Sequence, residues 1–240
     1  MTSAAWLARN ARRFIAVLKS PRQIKHLRRY SESLREGHML DMPTPWLTFD
    51  AIDFIADRLS PQWNIFEYGS GGSTLYWLKS GAELVSIEHE AEWYNLVEGK
   101  IRPGSRLDYR LVQPELGRLC APTPDAVGDP DCYASNDPLF SAQNFRSYVS
   151  QIDEFPDQTF DMVIVDGRAR PSCLKHSFPK VKVGGLLVLD NSDREYYLRG
   201  TRPLLNGFLE HRFRGIGPGI PLYLQTQTTV FEKVTAEFSG

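Results

Sequence analysis

The stretch FEYGSGGSTLYWL, residues 66–78, is the clearest indication of the fold, because it joins a strand pattern to a helix pattern through three glycines. Residues 64–69 form a short apolar run typical of a buried strand, and residues 73–81 have the pattern of a helix that ends at Gly81. Glycines at such a junction remove side chains where the backbone must come close to another group. The helix that follows has free N–H groups at its start. The stretch therefore predicts a strand–loop–helix unit with a ligand site at the junction.

The same alternation continues along the chain. Four more strands and four more helices are predicted, and two C-terminal segments around a Gly/Pro turn predict an antiparallel pair. Together they predict an α/β fold: a doubly wound, mostly parallel seven-stranded sheet with helices on both faces and a C-terminal antiparallel strand pair. The further predicted strands are 83–90, 107–112, 160–167 and 184–191, the helices are 49–59, 91–100, 141–155 and 171–181, and the terminal pair is 211–221 with 225–234.

The composition fits one large domain with an extension. The chain has 240 residues, of which 42% are hydrophobic and 24% charged, as is ordinary for a soluble globular protein. Residues 1–40 are predicted to form a basic helical extension, and residues 41–240 the main domain. Residues 113–140 contain five prolines and predict an irregular insertion, which is either a functional loop or a variable surface excursion.

The charge is unevenly distributed. Residues 1–35 contain nine basic residues against Glu32 alone, a net charge of +8, which leaves −9 for the remainder of a chain whose total is −1. A basic amphipathic helix either packs its apolar side on the domain or lies on an anionic membrane surface or a protein partner. Both interpretations stay open from the sequence.

The chain has no apolar run of about 20 residues, the length that a membrane span needs. Its first residues lack the pattern of a secretory signal, and Cys120, Cys132 and Cys173 form no CxxC motif that would suggest zinc. These features predict a reducing, cytoplasmic location, peripheral to the membrane if the basic helix binds lipid. The oligomeric state is not predicted.

The glycine cluster alone does not choose a ligand. Gly69 and Gly71 match the start of the dinucleotide fingerprint GxGxxG/A, but Thr74 stands where the third small residue belongs. Glu67 would repel a pyrophosphate and attract a cationic amine. An NAD-dependent oxidoreductase is therefore disfavoured but open, as is a non-catalytic scaffold that uses its basic helix for a membrane or partner.

Two motifs resemble those of class I S-adenosylmethionine-dependent methyltransferases. EYGSGGST, residues 67–74, is similar to their acid-x-Gly-x-Gly loop after the first strand, and SIEHE, residues 86–90, is similar to their ribose-binding acid at the end of the second strand. The resemblance implies S-adenosylmethionine as cofactor and a set of contacts to it. Glu67 would hold the methionine amine, Gly69, Ser70 and Gly71 the loop backbone, Ser73 the carboxylate, Glu88 the ribose, and His89 the neighbourhood of adenine.

Two later strand ends resemble those of the catechol-type metal-dependent O-methyltransferases. DMVIVDG and LLVLDN place Asp166, Asp190 and Asn191 where that family holds a metal, which implies Mg²⁺ and activation of a substrate hydroxyl. The family's lysine base is absent, because position 169 is alanine. Asp166 or Asp190 is then the candidate base, and Arg168 a candidate anchor for an anionic substrate. Alternatively, Asp190 and Asn191 cap the next helix.

The sequence as a whole predicts methyl transfer from S-adenosylmethionine to an oxygen nucleophile of a small molecule, with a nitrogen acceptor left open. A nucleic-acid substrate is disfavoured, since the main domain is acidic and lacks the Asn/Asp-Pro-Pro-Tyr motif of nucleic-acid amino methylators. The insertion is expected to lie over the substrate side. Its candidate pocket residues, together with one in the segment that follows, are Tyr133, Asn136, Asp137, Phe140 and Arg146.

Overall fold

The computed structural model describes residues 21–34, 38–41, 43–121, 123–219 and 226–234. Within them, the main sheet has seven strands in the order β3-β2-β1-β6-β7-β9-β8, with β9 antiparallel to both β7 and β8 and the other pairs parallel. The predicted sheet and its C-terminal antiparallel pair are confirmed. The strands are β1 Asn64–Tyr68, β2 Glu83–Glu88, β3 Leu107–Leu111, β4 Glu115–Leu116, β5 Gln143–Asn144, β6 Phe160–Val165, β7 Val181–Leu189, β8 Phe208–Gly215 and β9 Thr226–Lys233.

Helices connect the strands and cover both faces of the sheet. Several short 3₁₀ helices accompany them, of which Pro21–His26, Pro138–Phe140 and Ser150–Glu154 matter below. The α-helices are α1 Leu27–Ser33, α2 His38–Asp41, α3 Phe49–Ala56, α4 Gly72–Lys79, α5 Ala91–Glu98, α6 Arg146–Val149, α7 Arg170–Ser177 and α8 Tyr196–Arg199.

Successive residues of the central strands face two separate cores. In β1, Phe66 packs in the core beneath α6 and α7, whereas Ile65 packs in the core beneath α1 and α3. Both residues are fully buried, so both faces of the strand are covered, as in a parallel sheet with helices on each side. The two cores hold the strands in place, and their carboxyl ends meet at one edge of the sheet.

The described part of the basic extension packs on the main domain. Gln23 Nε2 donates to Asp50 at 2.7 Å, and the ring of His26 lies 2.9 Å from the same carboxylate. Gln23, His26 and Tyr30 are all buried against the domain. Residues 21–34 therefore pack their buried side on the domain, and contact of the basic segment with a membrane or partner stays a prediction. The first 20 residues of the predicted helix lie outside the described residues, and the boundary at residue 40 stays a prediction.

The single helix expected over 141–155 is wrong. The segment contains strand β5, the short helix α6 and the 3₁₀ helix Ser150–Glu154. Asn144 explains the break, because its Oδ1 accepts from Arg146 N at 3.1 Å and its Nδ2 donates to Gly117 O at 2.8 Å. These bonds hold residue 144 extended against β4, and the helix can begin only after it.

Two of the three cysteines form a disulfide within the insertion, where the sequence interpretation expected reduced thiols. Cys120 and Cys132 are bonded, with Cα atoms 5.3 Å apart, and Cys173 is a buried free thiol. Their spacing of 12 residues matches no motif, so nothing in the sequence predicted the pair. No helix among the described residues is long and apolar enough to cross a bilayer.

Candidate functional site

A cleft of about 530 Å³ opens at the carboxyl ends of the parallel strands. It lies where the strand order reverses direction between β1 and β6, the position at which open α/β sheets bind ligands. Residues from the ends of four strands meet here. The lining residues are Trp46, Gly69, Ser70, Gly71, Gly72, Ser73, Glu88, His89, Glu90, Trp93, Asp166, Gly167, Arg168, Arg170, Asp190 and Asn191.

Gly69 and Gly71 are glycines for different physical reasons. Gly69 has φ +90°, and a Cβ on it would lie 2.8 Å from Gly167 Cα, so the loop after β1 needs a glycine to pass the loop after β6. A Cβ on Gly71 would make an ordinary contact with Trp93 at 3.6 Å. Gly71 instead leaves the cleft floor open at the start of α4. Of these two glycines, only Gly71 is therefore explained by space for a ligand.

Glu67 lies beneath the loop and not in the cleft. It is fully buried, and its carboxylate accepts from Thr74 Oγ1 at 2.5 Å, Trp77 Nε1 at 3.1 Å and Ser86 Oγ at 2.7 Å. Thr74 Oγ1 in turn accepts from Gly71 N at 2.9 Å. The acid thus ties the loop to α4 and β2, and burial raises its pKa. Its contact with a ligand amine stays a prediction.

The same bonds bear on the dinucleotide alternative. Thr74 stands at the third fingerprint position, is fully buried, and uses its hydroxyl to satisfy the N–H of Gly71. That N–H is one of the donors that a pyrophosphate would need at the helix start. The threonine that departs from the fingerprint therefore also takes away a phosphate donor.

Glu88 presents an ionised carboxylate to the cleft. Its Oε2 accepts from Ser70 N at 3.1 Å and Ser70 Oγ at 3.0 Å, and its Oε1 accepts from His89 N at 2.7 Å and Glu90 N at 2.9 Å. Burial alone would raise the pKa of Glu88, but the hydrogen bonds to its carboxylate and the nearness of His89 outweigh it, and the pKa is lowered. Ser70 Oγ also lies 2.6 Å from Tyr109 Oη, which can hold that hydroxyl if it leaves Glu88.

His89 and Arg168 connect Glu88 to the insertion. His89 Nδ1 lies 2.7 Å from Glu88 Oε1, and Arg168 Nε donates to His89 Nε2 at 3.3 Å. Since Nε2 accepts, we assign the ring proton to Nδ1, where it faces the carboxylate. Arg168 also pairs with Asp137 Oδ2 at 3.0 Å, and its guanidinium lies 5.3 Å from the ring centre of Phe140. Arg168 thus holds other side chains, and its predicted role as a catalytic group becomes a positioning role.

Asp166 and Asp190 face each other across Arg170. Arg170 Nη2 donates to Asp166 Oδ1 at 2.8 Å, and Arg170 Nη1 donates to the backbone oxygen of Asp190. Burial raises the pKa of Asp166 to about 6 against the pull of Arg170. Burial also raises the pKa of Asp190 to about 7, and the charge of Asp166 adds to that rise. Two carboxyl groups that ionise near neutral pH therefore line the cleft.

The predicted magnesium ligands do not fit a metal site. Asp190 accepts from Thr228 Oγ1 at 2.8 Å and from Asn191 Nδ2 at 2.7 Å, and Arg170 already brings its positive charge to Asp166. Asn191 thus turns its amide nitrogen, which cannot bind Mg²⁺, toward the acid. The magnesium prediction is corrected on this ground. Asp190 and Asn191 do not cap the next helix either, since α8 begins only at Tyr196.

Sequence reasoning missed several groups of the site. Trp93 Nε1 donates to Ser70 O at 2.9 Å, and Tyr109 bonds the same residue's hydroxyl. Neither carries a motif, so only the fold brings them to the loop. Among the insertion candidates, Asp137 and Phe140 do reach the site, whereas Tyr133 contacts His176 at 3.2 Å instead.

No family model and no curated protein matches the chain. Solved structures do resemble it. A protein assigned as an O-methyltransferase in Klebsiella pneumoniae matches with a TM-score of 0.53 at 14% identity, over 86% of this chain and 90% of that one. An O-methyltransferase from Bacillus cereus, solved in complex with SAH, matches with 0.52 at 14%, over 85% and 90%. A protein assigned as an rRNA methylase in Clostridium thermocellum matches with 0.53 at 10%, over 81% and 99%. The chain has the class I, Rossmann-like methyltransferase fold.

Proposed function

We propose that this chain is an S-adenosylmethionine-dependent methyltransferase that acts on an oxygen nucleophile of a small molecule. The observation that carries the proposal is Glu88, an ionised carboxylate that ends β2 and lines the cleft beside the glycine loop. A carboxylate in that position can accept hydrogen bonds from two adjacent ribose hydroxyls. The methyltransferase fold of the chain supports the same cofactor.

The residues of the cleft fit this cofactor. S-adenosylmethionine supplies an electrophilic methyl group when bound. Glu88 would accept hydrogen bonds from the ribose hydroxyls. One of these would take the place of Ser70 Oγ at Glu88 Oε2, and Ser70 Oγ would keep its hydrogen bond to Tyr109 Oη. Gly71 and Ser73 line the cleft at the start of α4, where the carboxylate end would lie. His89 keeps its place near adenine as a positioning residue, since its ring faces Glu88.

Asp166 is the candidate base for the acceptor hydroxyl. Arg170 engages its Oδ1, and the side chain is 23% exposed, so it lines the cleft at a place that solvent reaches. Asp190 is only 3% exposed, and both its carboxylate oxygens accept hydrogen bonds. Asp166 would take the proton of the acceptor hydroxyl, to whose oxygen the bound cofactor would supply the methyl group. With the pKa of Asp166 near 6, the group is mostly deprotonated at neutral pH.

A thermal-shift and calorimetric comparison of S-adenosylmethionine, S-adenosylhomocysteine (SAH) and NAD tests the cofactor. We expect the first two to stabilise the protein, because a ligand that binds the native state raises its apparent stability by mass action. Stabilisation by NAD alone would favour the oxidoreductase alternative. Stabilisation by none of the three would favour the non-catalytic scaffold.

The pH dependence of methyl transfer tests the base. We expect the rate to rise with pH through about 6 and then level off, since Asp166 must lose its proton to act. Asp166→Asn should lose most of the rate and the rise with it. Asp157→Asn, which removes an exposed partner of Lys180, should keep both. A profile that Asp166→Asn leaves unchanged assigns the base elsewhere.

The acceptor class needs its own experiment, because one structural neighbour is assigned as an rRNA methylase. A net charge of −9 on residues 36–240 opposes the phosphate backbone of RNA. We therefore expect SAH to form with phenols or other hydroxyl compounds and not with RNA. Methylation of RNA alone would leave the cofactor assignment standing and overturn the acceptor.

A further inference from the structure

The ring of His89 lies between Glu88 and the insertion. Its Nδ1 lies 2.7 Å from Glu88 Oε1, and its side chain is 10% exposed. Three aromatic rings meet it edge-on, those of Phe140, Phe145 and Tyr148, at centre distances of 5.3, 5.7 and 6.2 Å. Phe145 and Tyr148 are buried in the core of the sheet, whereas Phe140 belongs to the insertion and packs against that core. The insertion therefore supplies one of the contacts that hold this ring in place.

Arg168 determines which nitrogen of the ring carries the proton. Its Nε–H donates to His89 Nε2 at 3.3 Å, and a protonated Nε2 could not accept this bond. The proton is therefore on Nδ1, where it faces the carboxylate of Glu88. Without Arg168, Nε2 could carry the proton instead. The lone pair of Nδ1 would then face Glu88 Oε1, and these two acceptors would repel each other.

Asp137 holds Arg168 from the side of the insertion. Its Oδ2 lies 3.0 Å from Arg168 Nη2, and the side chains of the aspartate and the arginine are 21% and 32% exposed. Its other oxygen, Oδ1, accepts from Leu139 N at 3.0 Å and caps the short helix Pro138–Phe140. One carboxylate thus positions both the arginine and the helix that contains Phe140.

We propose that Asp137 and Arg168 are positioning residues for the cofactor, because through His89 they hold the Glu88 carboxylate in the orientation that accepts from the ribose hydroxyls. The contacts of Oε1 with the backbone N–H groups of His89 and Glu90 and with the His89 ring leave Oε2 facing Ser70, where a ribose hydroxyl would bind. This inference rests on the proposed function and adds to it that the insertion sets the cofactor affinity.

Two ligands that differ only in the ribose hydroxyls test the proposal. SAH and its 2′,3′-dideoxy analogue are each titrated into the full-length protein by calorimetry. We expect Arg168→Met to weaken SAH binding roughly tenfold, the scale of coupling between residues in contact. Both affinities are measured because the analogue has no ribose hydroxyl for Glu88 to bind. Its affinity should therefore stay nearly the same in this variant.

Asp137→Asn removes the ion pair alone, since asparagine can still cap the short helix. We expect it to weaken SAH roughly threefold, the scale of a partly exposed ion pair, and to leave the analogue nearly unchanged. Asp131→Asn is the matched control. Asp131 also joins the insertion to the main domain, through Lys175 of α7, but neither residue lines the cleft. Its substitution should not change the affinity for SAH.

Nitrogen-15 NMR of the imidazole ring supplies a second measurement. We expect His89 to carry its proton on Nδ1 in the wild-type protein, and Arg168→Met to shift the proton toward Nε2. Near-ultraviolet circular dichroism and the melting temperature show whether each variant is folded. If Arg168→Met does not fold, Asp137→Asn alone decides the ligand comparison.

The outcomes separate this inference from the proposed function. If the wild-type protein does not bind SAH, the cofactor assignment fails and the positioning role fails with it. If the wild-type protein binds SAH but the variants weaken SAH and its analogue equally, or weaken neither, the positioning role is overturned while the cofactor assignment stands. An unchanged proton position on His89 in folded Arg168→Met overturns it as well.

Discussion

The carboxyl ends of the strands around the glycine loop, called the edge below, lie next to the insertion. The two regions are held together in different ways. At the edge, regular elements pair the polar groups with one another, as when Thr74 bonds both Glu67 and the N–H of Gly71. In the insertion, two strands of two residues each and one disulfide hold a long irregular segment. That segment leaves Leu116 and Leu139 more than four-fifths exposed. The structure at the edge is therefore set by its local sequence pattern, whereas the insertion depends on contacts between distant residues.

The two regions meet at Arg168. This residue bonds His89 on the cleft side and Asp137 on the insertion side. Its guanidinium also lies over the ring of Phe140, a residue of the insertion. Substitutions on either side of Arg168 therefore test the difference between the two regions, and the largest effects are expected at the edge.

The largest effect is expected from Glu88→Gln. An amide cannot accept from both ribose hydroxyls and also from the backbone N–H groups of His89 and Glu90, so part of the bond set is lost. Hydrogen bonds to a charged group contribute about 1.5–3 kcal/mol each, so we expect SAH to bind roughly 100-fold more weakly by calorimetry. Glu83→Gln is the matched control, since Glu83 is exposed at the start of the same strand. Equal affinities for wild type and Glu88→Gln would show that the ribose lies elsewhere.

The second effect concerns the close approach of two loops. A Cβ on Gly167 would lie 2.1 Å from Tyr148 Oη, and this tyrosine is fully buried. We expect Gly167→Ala to destabilise the protein by about 2–3 kcal/mol in urea unfolding. The same substitution in a Tyr148→Phe background should cost clearly less, because the colliding oxygen is gone. If the two backgrounds lose the same stability, the overlap with Tyr148 is not the cause.

Part of the structure at the edge could be predicted from the sequence. The β1–loop–α4 unit, the mostly parallel seven-stranded sheet and the acid at the end of β2 follow from periodicity, glycine placement and the resemblance of two motifs. The role of Glu67 could not be predicted. Its partners Thr74, Trp77 and Ser86 surround it only after α4 and β2 fold back on β1.

The metal-binding role predicted for the acids that follow β6 and β7 was wrong for a related reason. Asp166 and Asp190 were predicted to face one cleft, and both line it. Their use as metal ligands was excluded by Arg170, whose guanidinium reaches both strand ends from the start of α7. In the insertion, prolines predicted irregularity but no pattern indicated the disulfide or the β4–β5 ladder. Contacts of that kind join residues whose spacing carries no period.

The third prediction separates two acids, Asp190 and Asp50, by the sign of their pH dependence. Burial raises the pKa of Asp190 to about 7, so between about pH 4 and 7 the folded state binds more protons than the unfolded state. Stability should fall as pH rises through that window. Asp190→Asn should remove on the order of 2 kcal/mol of this dependence in urea unfolding between pH 4.5 and 8.

Asp50 supplies the opposite case. Burial opposes its charge, but bonds from Lys25, His26 and Gln23 outweigh it and lower the pKa to about 2. Its stabilising effect is present above the unfolded pKa near 4 and is lost as pH falls through about 2. Asp50→Asn should therefore destabilise the protein at neutral pH and much less near pH 2. Equal pH slopes for the two variants would contradict both assignments.

The smallest effect on the whole molecule is expected from the disulfide, and it decides whether the insertion is a separate stability unit. The cross-link closes only the segment from Cys120 to Cys132, which lies outside both cores of the sheet. We expect Cys120→Ser with Cys132→Ser to shift global unfolding by less than about 1 kcal/mol, while the insertion becomes open to protease first. Cys173→Ser is the control, because this buried thiol packs in the core and its loss acts on the sheet. If the double variant lowers the global stability as much as an edge variant does, the insertion and the edge unfold as one unit, and Arg168 joins them more strongly than their different constructions indicate.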